Sequence, residues 1–332
     1  MPEGLDRFNV YLTKVEQIIQ TLPDSPERAL AFYKTPARQY LFYLEALTHI
    51  YKMMHNKKRF ERMRISFKSL EDQLGKIDYY DGFIKEFSLQ ENFPPILLEC
   101  LRQHFNKELI NLDVLLTKDG WITTEKSTIK SIERELSEAD WMSGKEERKA
   151  IGKTIIDAIE LIKSDYQTDK LNFKDIENGV HKFRREVRWI SIYAQAIDGL
   201  IQLKPEVDAD AELLPYQTKE VVESPFNILP VLKKGIQPIY IDTPVFYALS
   251  WIIAESGRLK DSGLRIIILE DAIRETHYVS EKEVKALTRI LAVKSNKSLK
   301  EIKLTMKVIA DKFIHHDKVL DRIINDIRQS IG

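Results

Sequence analysis

The sequence predicts an all-α fold, and three observations support that prediction. Glycine and proline number only 12 each among 332 residues, and so few helix breakers favour helices over short strands joined by tight turns. Apolar residues recur at helical spacing along most of the chain, beginning with Val10, Val15, Ile18 and Ile19. Charged residues make up 31% and apolar residues 43% of the chain, which fits a globular protein better than a disordered or membrane-embedded one.

Helix breakers and caps divide this pattern into a series of predicted helices. Gly75 is expected to end one helix as a C-cap, and Ser280 with Glu283 predicts a capping box at the start of another. The predicted helices cover residues 37–55, 58–74, 78–87, 95–116, 125–141, 145–166, 173–203, 244–257, 259–275, 280–292 and 298–331. Residues 204–243 are richer in proline and less periodic, so we expect a long irregular connection, with 239–241 as a short strand or extended chain.

Two glycine-containing stretches suggest an internal duplication. After Gly75 and again after Gly257 the chain has a basic residue, then an aliphatic residue, and an acid within the next turn. Each stretch predicts a corner between two helices, and two such corners in one chain are typical of a repeat. Any helical hairpin can use a C-cap glycine, however, so the pattern alone leaves both explanations open.

The charge balance and the single cysteine narrow the choice of partners and compartment. Lysine plus arginine equals aspartate plus glutamate, at 51 each, so any anion site must come from local clustering. Cys100 lies in an apolar run and cannot form an internal disulfide, so we expect it to be a small buried hydrophobe. Neither a signal peptide nor an apolar run of roughly 18 residues is present, so we expect a cytoplasmic protein without a membrane partner.

The predicted helix over 173–203 carries the densest cluster of positive charge. Its apolar residues alternate at spacings of three and four, which predicts a stripe that faces the core. The stripe consists of Phe173, Ile176, Val180, Phe183, Val187, Ile190, Ala194, Ile197 and Ile201. His181, Arg184, Arg185 and Arg188 fall together on the opposite side. For most charged stripes the ordinary explanation is a solvated face.

Two features favour a covered groove over a solvated face. Glu177 is the one acid on the same side of this helix, so the mixed charges of an ordinary surface are largely missing. The same side continues with Ile192, Ala196 and Gly199, which are not typical solvent residues. Arginines that line a groove with few carboxylates favour an anion, above all phosphate oxygens, which a guanidinium binds in bidentate fashion.

The stretch His181-Lys-Phe-Arg-Arg-Glu-Val-Arg-Trp-Ile-Ser-Ile-Tyr resembles the second-repeat motif of the CHAD family, the conserved-histidine α-helical domains. That motif is roughly H-x-x-R-[RK]-x-x-[KR]-x-x-R-[YW]. His181, Arg184, Arg185 and Arg188 match it, and Tyr193 approximates its last pair. The stretches around both glycines also resemble the L-G-x-x-x-D corner of the family.

This resemblance implies a fold, a ligand and further site residues. The fold would be two antiparallel four-helix bundles, residues 1–168 and 169–332, related by a pseudo-two-fold axis around a basic channel. The ligand would be inorganic polyphosphate or a similar polyanion. Further ligand-binding residues would be Arg258 and Lys260 and, by two-fold analogy, Arg59, Arg62 and Lys76. The chain departs from the family in its zero net charge and in its first half, which lacks an H-x-x-R helix.

No other pattern in the sequence indicates catalysis. His315-His316-Asp317 has residue types that bind metals, but lysines crowd it and no distant ligands accompany it. Neither a glycine-rich phosphate loop nor a nucleophile elbow is present. We therefore expect a protein that is not an enzyme, with no cofactor, no metal and no sequence-specific nucleic acid as partner. The alternative function is a helical scaffold that contacts a protein partner and has lost the anion site.

Overall fold

The structure is a computed structural model, which describes residues 2–22, 24, 27–122, 127–142, 144–204, 211–292 and 297–332. The protein is 75% helical, and its described part contains only two short strands. The fold is therefore mainly α-helical, as the sequence predicts. No helix within these ranges has the length and apolar character needed to cross a membrane.

The described residues form thirteen α-helices and a pair of strands. The helices are α1 (Glu3–Gln20), α2 (Arg28–Tyr33), α3 (Ala37–Tyr51), α4 (Lys57–Ser88), α5 (Pro95–Lys118), α6 (Thr128–Ser137), α7 (Gly144–Gln167), α8 (Lys182–Ala196), α9 (Lys219–Val222), α10 (Thr243–Thr276), α11 (Glu281–Leu291), α12 (Leu299–Asp311) and α13 (Val319–Ile331). The strands are β1 (Ile201–Lys204) and β2 (Ile239–Asp242), which pair in parallel. Ile176–His181 and Lys312–His316 are π-helical turns.

Side-chain caps set the starts of several helices. The predicted capping box at α11 is confirmed: the Ser280 amide donates to Glu283 Oε2 at 2.8 Å, and the Glu283 amide donates to Ser280 Oγ at 3.4 Å. Asn56 caps α4, because its side-chain oxygen accepts from the Arg59 amide at 3.1 Å. These bonds satisfy amides that the first helical turn leaves without a partner.

The chain divides into two compact units, each made of two segments. Unit 1 consists of residues 1–141 and 267–293, and unit 2 consists of residues 142–266 and 294–332. The units do not follow the predicted halves at 168 and 169, because 142–168 belongs to unit 2 and 267–293 to unit 1. The pseudo-two-fold relation between two bundles stays a prediction.

In unit 1, α3 packs against α1 and α4, and α4 packs against α5. An aromatic cluster fills part of its core. The Tyr51 ring lies 5.6 Å from Phe8 and 5.3 Å from Trp141 between ring centroids, and His55 lies 5.0 Å from Trp141. Large rings at these separations bury much apolar surface, which is the main favourable contribution to folding.

In unit 2, α7 packs against α8 and α13, and α13 also packs against β2. The two strands pair in register from Ile201 opposite Ile239 to Lys204 opposite Asp242. The sequence left 239–241 open between strand and extended chain, and the structure shows a strand. Buried Arg148 donates to the backbone carbonyl of Ser330 at 2.5 Å, which ties α7 to the end of α13.

The predicted corners between helices at Gly75 and Gly257 are wrong. Gly75 lies inside α4 and Gly257 lies inside α10, and each helix continues through its glycine. A glycine inside a helix costs only about 1 kcal/mol relative to alanine, which packing of the remaining helix can outweigh. Instead, each glycine leaves room for an arginine side chain from another helix to contact the backbone. An added Cβ would lie 2.7 Å from Nη2 of Arg38 at Gly75 and 3.0 Å from Nε of Arg184 at Gly257.

The prediction of one long helix over 173–203 is also wrong. The segment begins with the π-helical turn, continues as α8 only to Ala196, and ends in strand β1. The helix ends because Asp198 and Gly199 adopt left-handed backbone angles, with φ of 51° and 83°. An Asp-Gly pair favours a turn, so the sequence contained this signal. The predicted helix over 298–331 is likewise interrupted, at Lys318 with φ of 51°.

Candidate anion-binding site

The predicted basic residues of unit 2 begin on the π-helical turn and continue onto α8. The Asp175 side chain caps this turn by accepting from the Asn178 amide. A side chain at Gly179 would collide with the backbone of Asn172, so glycine lets the preceding chain lie directly against the turn. The core-facing residues behind it are buried, including Ile176, Val180 and Phe183. His181, Arg184 and Arg188 are partly buried, and Arg185 is exposed.

Arg184 is held against α10. Its Nε donates to the backbone carbonyl of Ile253 at 3.3 Å, and its guanidinium lies over Gly257. Since Gly257 has no side chain, the arginine can approach the α10 backbone closely. The side chain is partly buried there. The glycine that the sequence marked as a corner thus positions one of the predicted site residues.

Three predicted site residues act on the carboxylate of Glu177. His181 Nδ1 lies 3.0 Å from Glu177 Oε1. The hydrogen bond from His181 holds the pKa of Glu177 below its usual range, and the charges of Arg185 and Lys260 lower that pKa further. Lys260 also forms an ion pair with Asp261 at 2.7 Å. We call His181, Arg184, Arg185 and Lys260 the basic cluster.

Arg188 follows the basic cluster one turn along α8 and is partly buried. On the same side of the helix, Ile192 and Ala196 are buried, with relative exposures of 9% and 0%. The expectation that this side becomes covered beyond the arginines is therefore confirmed. Arg258, in contrast, forms ion pairs with both Glu220 and Glu255, so its charge is already compensated.

Two of the three predicted residues of unit 1, Arg59 and Arg62, lie beside acidic residues at the end of α6. Arg59 donates to the Glu135 carbonyl at 3.1 Å and lies 3.5 Å from the Glu138 carboxylate. Arg62 is 3.4 Å from the Glu135 carboxylate. Lys76 lies further along α4 and is exposed. The structure therefore does not gather these three residues into a basic cluster like that of unit 2.

Arg38 of unit 1 resembles Arg184 in lying over a glycine inside a helix. It lies over Gly75 on α4, and it forms ion pairs with Glu71 at 2.9 Å and Asp78 at 2.7 Å. A cavity of about 350 Å³ opens beside it, and Tyr33, Lys34, Thr35, Asp78, Asp81 and Lys85 complete its lining. Lys34, Arg38 and Lys85 line this cavity together with Asp78 and Asp81, and Arg38 is also paired with Glu71, so carboxylates compensate the positive charge that a polyanion requires.

The side chains of the His315-His316-Asp317 stretch contact different groups. Asp317 is buried and accepts hydrogen bonds from Tyr216, Lys312 and His316, the last at 2.6 Å. Burial alone would raise the pKa of Asp317, but these hydrogen bonds lower it. The His315 ring instead lies against Tyr166, with centroids 5.6 Å apart.

The sequence patterns missed one group of residues that the fold brings together. Cys100 and His104 on α5 meet Glu275 near the end of α10, all within unit 1. The spacing of four residues between the cysteine and the histidine was the available signal, since it places both on one face of a helix. Nothing in the sequence pairs them with a glutamate 171 positions after His104.

Comparison of the chain with protein-family models, with curated proteins and with solved structures finds no match.

Proposed function

We propose that this chain is a helical protein that binds inorganic polyphosphate or another phosphate-rich polyanion at the basic cluster of unit 2. The observation that carries the proposal is the position of Arg184, which bonds to the Ile253 carbonyl and lies over Gly257, one turn before Lys260 on α10. Arg185 follows Arg184 on α8, and His181 lies one turn before Arg185, 3.0 Å from Glu177. At neutral pH, Arg184, Arg185 and Lys260 carry three positive charges, and the carboxylates beside the cluster are Glu177 and Asp261.

The chemistry of these side chains suits phosphate. A guanidinium presents several N–H donors in a planar fork that matches phosphate oxygens, and each charge-assisted hydrogen bond is stronger than a neutral one. Lysine adds a point charge that tolerates many positions along an extended ligand. The resemblance of the 181–193 stretch to CHAD domains supports the same ligand class. Within this proposal Arg188 extends the cluster, while Arg59, Arg62 and Arg258 contribute little because carboxylates already neutralise them.

A direct test measures binding of long-chain polyphosphate by fluorescence polarisation at low and high salt. We expect affinity at low salt and a steep loss as salt rises, because a polyanion releases counterions when it binds. Replacing Arg184 and Arg185 together by alanine should weaken binding by about a hundredfold or more, since each of the two charge-assisted bonds contributes about 1.5–3 kcal/mol. The matched control is Arg62→Ala, which removes an arginine that is 65% exposed on unit 1 and should change affinity little.

The alternative function is a helical scaffold for a protein partner. The carboxylates beside Arg59, Arg62 and Arg258 favour it, because they occupy cations that an anion would otherwise use. Absence of polyphosphate binding at low salt would overturn the anion proposal and leave the scaffold. Binding that is insensitive to Arg184→Ala with Arg185→Ala, but lost in Arg62→Ala, would overturn the placement of the site.

A further inference from the structure

Unit 1 brings three potential metal ligands to one point, and none of them belongs to the basic cluster. The shared atom is Glu275 Oε2, which accepts from Cys100 Sγ at 3.3 Å and lies 2.7 Å from His104 Nε2. The three donor atoms all lie within 4.8 Å of one another. A thiol, an imidazole and a carboxylate are together the ligand types that zinc sites in proteins use.

Two further features hold this group in place. Cys100 and His104 are separated by one helical turn of α5, so both project from the same face of a rigid element. The Tyr80 ring stacks on the His104 ring, with centroids 5.2 Å apart and planes 8° apart, which fixes the orientation of the imidazole. Ligands held on helices with restrained rotamers lose little conformational entropy when an ion binds.

We propose that Cys100, His104 and Glu275 form a binding site for a transition-metal dication, with Zn²⁺ as the ion that fits best. The site is independent of the proposed polyanion binding, since it shares no residue with the basic cluster. Three protein ligands leave one position of a tetrahedral ion open, and water fills that position. The Cys100 residue is only 8% exposed, whereas the Glu275 side chain is 52% exposed, so the open position faces the solvent on the glutamate side.

Zinc binding requires the three donor atoms, which lie within 4.8 Å of one another, to move to tetrahedral spacings. Zinc bonds of about 2.0–2.3 Å place neighbouring ligand atoms of a tetrahedron roughly 3.3–3.6 Å apart. The Cys100–Glu275 distance of 3.3 Å is already near that range, and the His104–Glu275 distance of 2.7 Å must open by a few tenths of an ångström. The exposed Glu275 side chain can rotate to provide this. The ion replaces the hydrogen bonds, and the thiol proton passes to solvent as the thiolate coordinates.

Softness and charge favour zinc over calcium or magnesium. Ca²⁺ and Mg²⁺ prefer sets of oxygen ligands, and this group offers one carboxylate beside a sulfur and a nitrogen. Co²⁺ takes the same ligands as Zn²⁺ and is coloured, so it reports the ligand set directly. Because Cys100 is the single cysteine of the chain, a thiolate-to-cobalt charge-transfer band can arise from no other residue.

The test titrates the full-length, metal-free protein with Co²⁺ and then with Zn²⁺. We expect one Co²⁺ per chain, a thiolate charge-transfer band, and loss of that band when Zn²⁺ displaces the cobalt. Cys100→Ser should abolish the band. His104→Gln and Glu275→Gln should each weaken Zn²⁺ binding by more than the about 10- to 100-fold that changes to outer-shell residues cost. His316→Gln, which changes a histidine of unit 2 that is 80% exposed, is the matched control and should bind as the parent does.

Thermal unfolding separates loss of the ion from loss of the fold. Zn²⁺ should raise the melting temperature of the parent protein and of His316→Gln, since a ligand that binds only the folded state stabilises it by mass action. It should not raise the melting temperature of Cys100→Ser, whose metal-free melting temperature stays close to that of the parent. A parent protein without a thiolate band, or Zn²⁺ affinities that are equal in all four variants, would overturn the proposal.

Discussion

At the scale of single residues, two titratable side chains lie one turn apart on α3 in the interior of unit 1. Burial raises the pKa of Glu45 to about 7, although Arg64 donates to its Oε1 at 3.0 Å. Burial also lowers the pKa of His49 to about 4, and the charges of Lys52 and Arg64 act in the same direction. Desolvation thus favours the neutral form of both side chains.

The two pKa shifts have opposite effects on how the free energy of unfolding changes with pH. The variant Glu45→Gln should reveal the effect of the first. The folded-state pKa of Glu45 lies above its ordinary value of 4.5, so its contribution is fully present below that value and is lost as pH rises to about 7. We expect the difference in unfolding free energy between parent and Glu45→Gln to fall steadily from pH 4.5 to 7. Urea unfolding at a series of pH values measures that difference.

The reciprocal variant His49→Gln should give the opposite slope. The folded-state pKa of His49 lies below its ordinary value of 6.5, so the unfolded chain binds more protons between about pH 4 and 6.5. The difference in unfolding free energy between parent and His49→Gln should therefore rise with pH across that window. Differences that stay constant with pH for both variants would contradict the assigned shifts.

At the scale of elements, glycines inside long helices act as places where an arginine approaches the helix backbone. Gly75 and Gly257 were visible in the sequence as unusual positions, but their role was misassigned. The sequence pattern resembles a helix end because glycine is the usual C-cap residue. Whether a helix stops at such a glycine depends on what packs against it, and in both helices that neighbour is an arginine from another helix.

Two alanine substitutions in α4 should separate the effect of helix propensity on stability from the effect of arginine packing against the glycine. Gly82 has no atom within 4 Å of an added Cβ, so Gly82→Ala should stabilise the protein by about 0.5–1 kcal/mol. Gly75→Ala gains the same helix propensity, but the added methyl group pushes Arg38 away from its ion-pair partner Glu71. Glu71 is only 5% exposed. We expect Gly75→Ala to be less stable than Gly82→Ala by about 1 kcal/mol or more. Urea denaturation measures both, and equal stabilities would show that Arg38 does not need the glycine.

At the scale of the whole molecule, each compact unit is assembled from segments that are distant in the chain. Unit 1 needs residues 267–293, and unit 2 needs residues 294–332. Helix α10 supplies residues to both units, since the division falls between 266 and 267. A boundary at residue 168, as the sequence predicts, would therefore separate unit 1 from one of its own segments.

A fragment of residues 1–168 should consequently be less stable than unit 1 in the full chain. The missing segment carries buried apolar side chains, including Ile268, Leu269, Ile273 and Val284. Their absence should expose the surface that they cover, lower the melting temperature and increase binding of a hydrophobic dye. Mixing with a 169–332 fragment is the control for recovery. A 1–168 fragment that melts cooperatively at the temperature of the full chain would contradict this division.

The sequence by itself determined the mainly helical fold, the capping box at Ser280 and the core-facing stripe of α8, because each depends on neighbours within a few turns. Helix propensity, capping and periodicity are local properties that a sequence displays directly. The wheel's placement of His181 and the three arginines on the side opposite that stripe stays a prediction. The turn at Asp198-Gly199 carried a local signal as well, which the strong periodicity on either side obscured.

Only the tertiary structure decided which charges are compensated and which distant residues meet. The sequence does not distinguish Arg59, Arg62 and Arg258 from Arg185. The first three form ion pairs with carboxylates that lie far away along the chain. Glu275 joins Cys100 and His104 only because α5 and the end of α10 belong to the same unit. The physical reason is that ion pairs and metal sites depend on distances of a few ångströms between atoms of residues that are far apart along the chain. Those distances are set by how the helices pack.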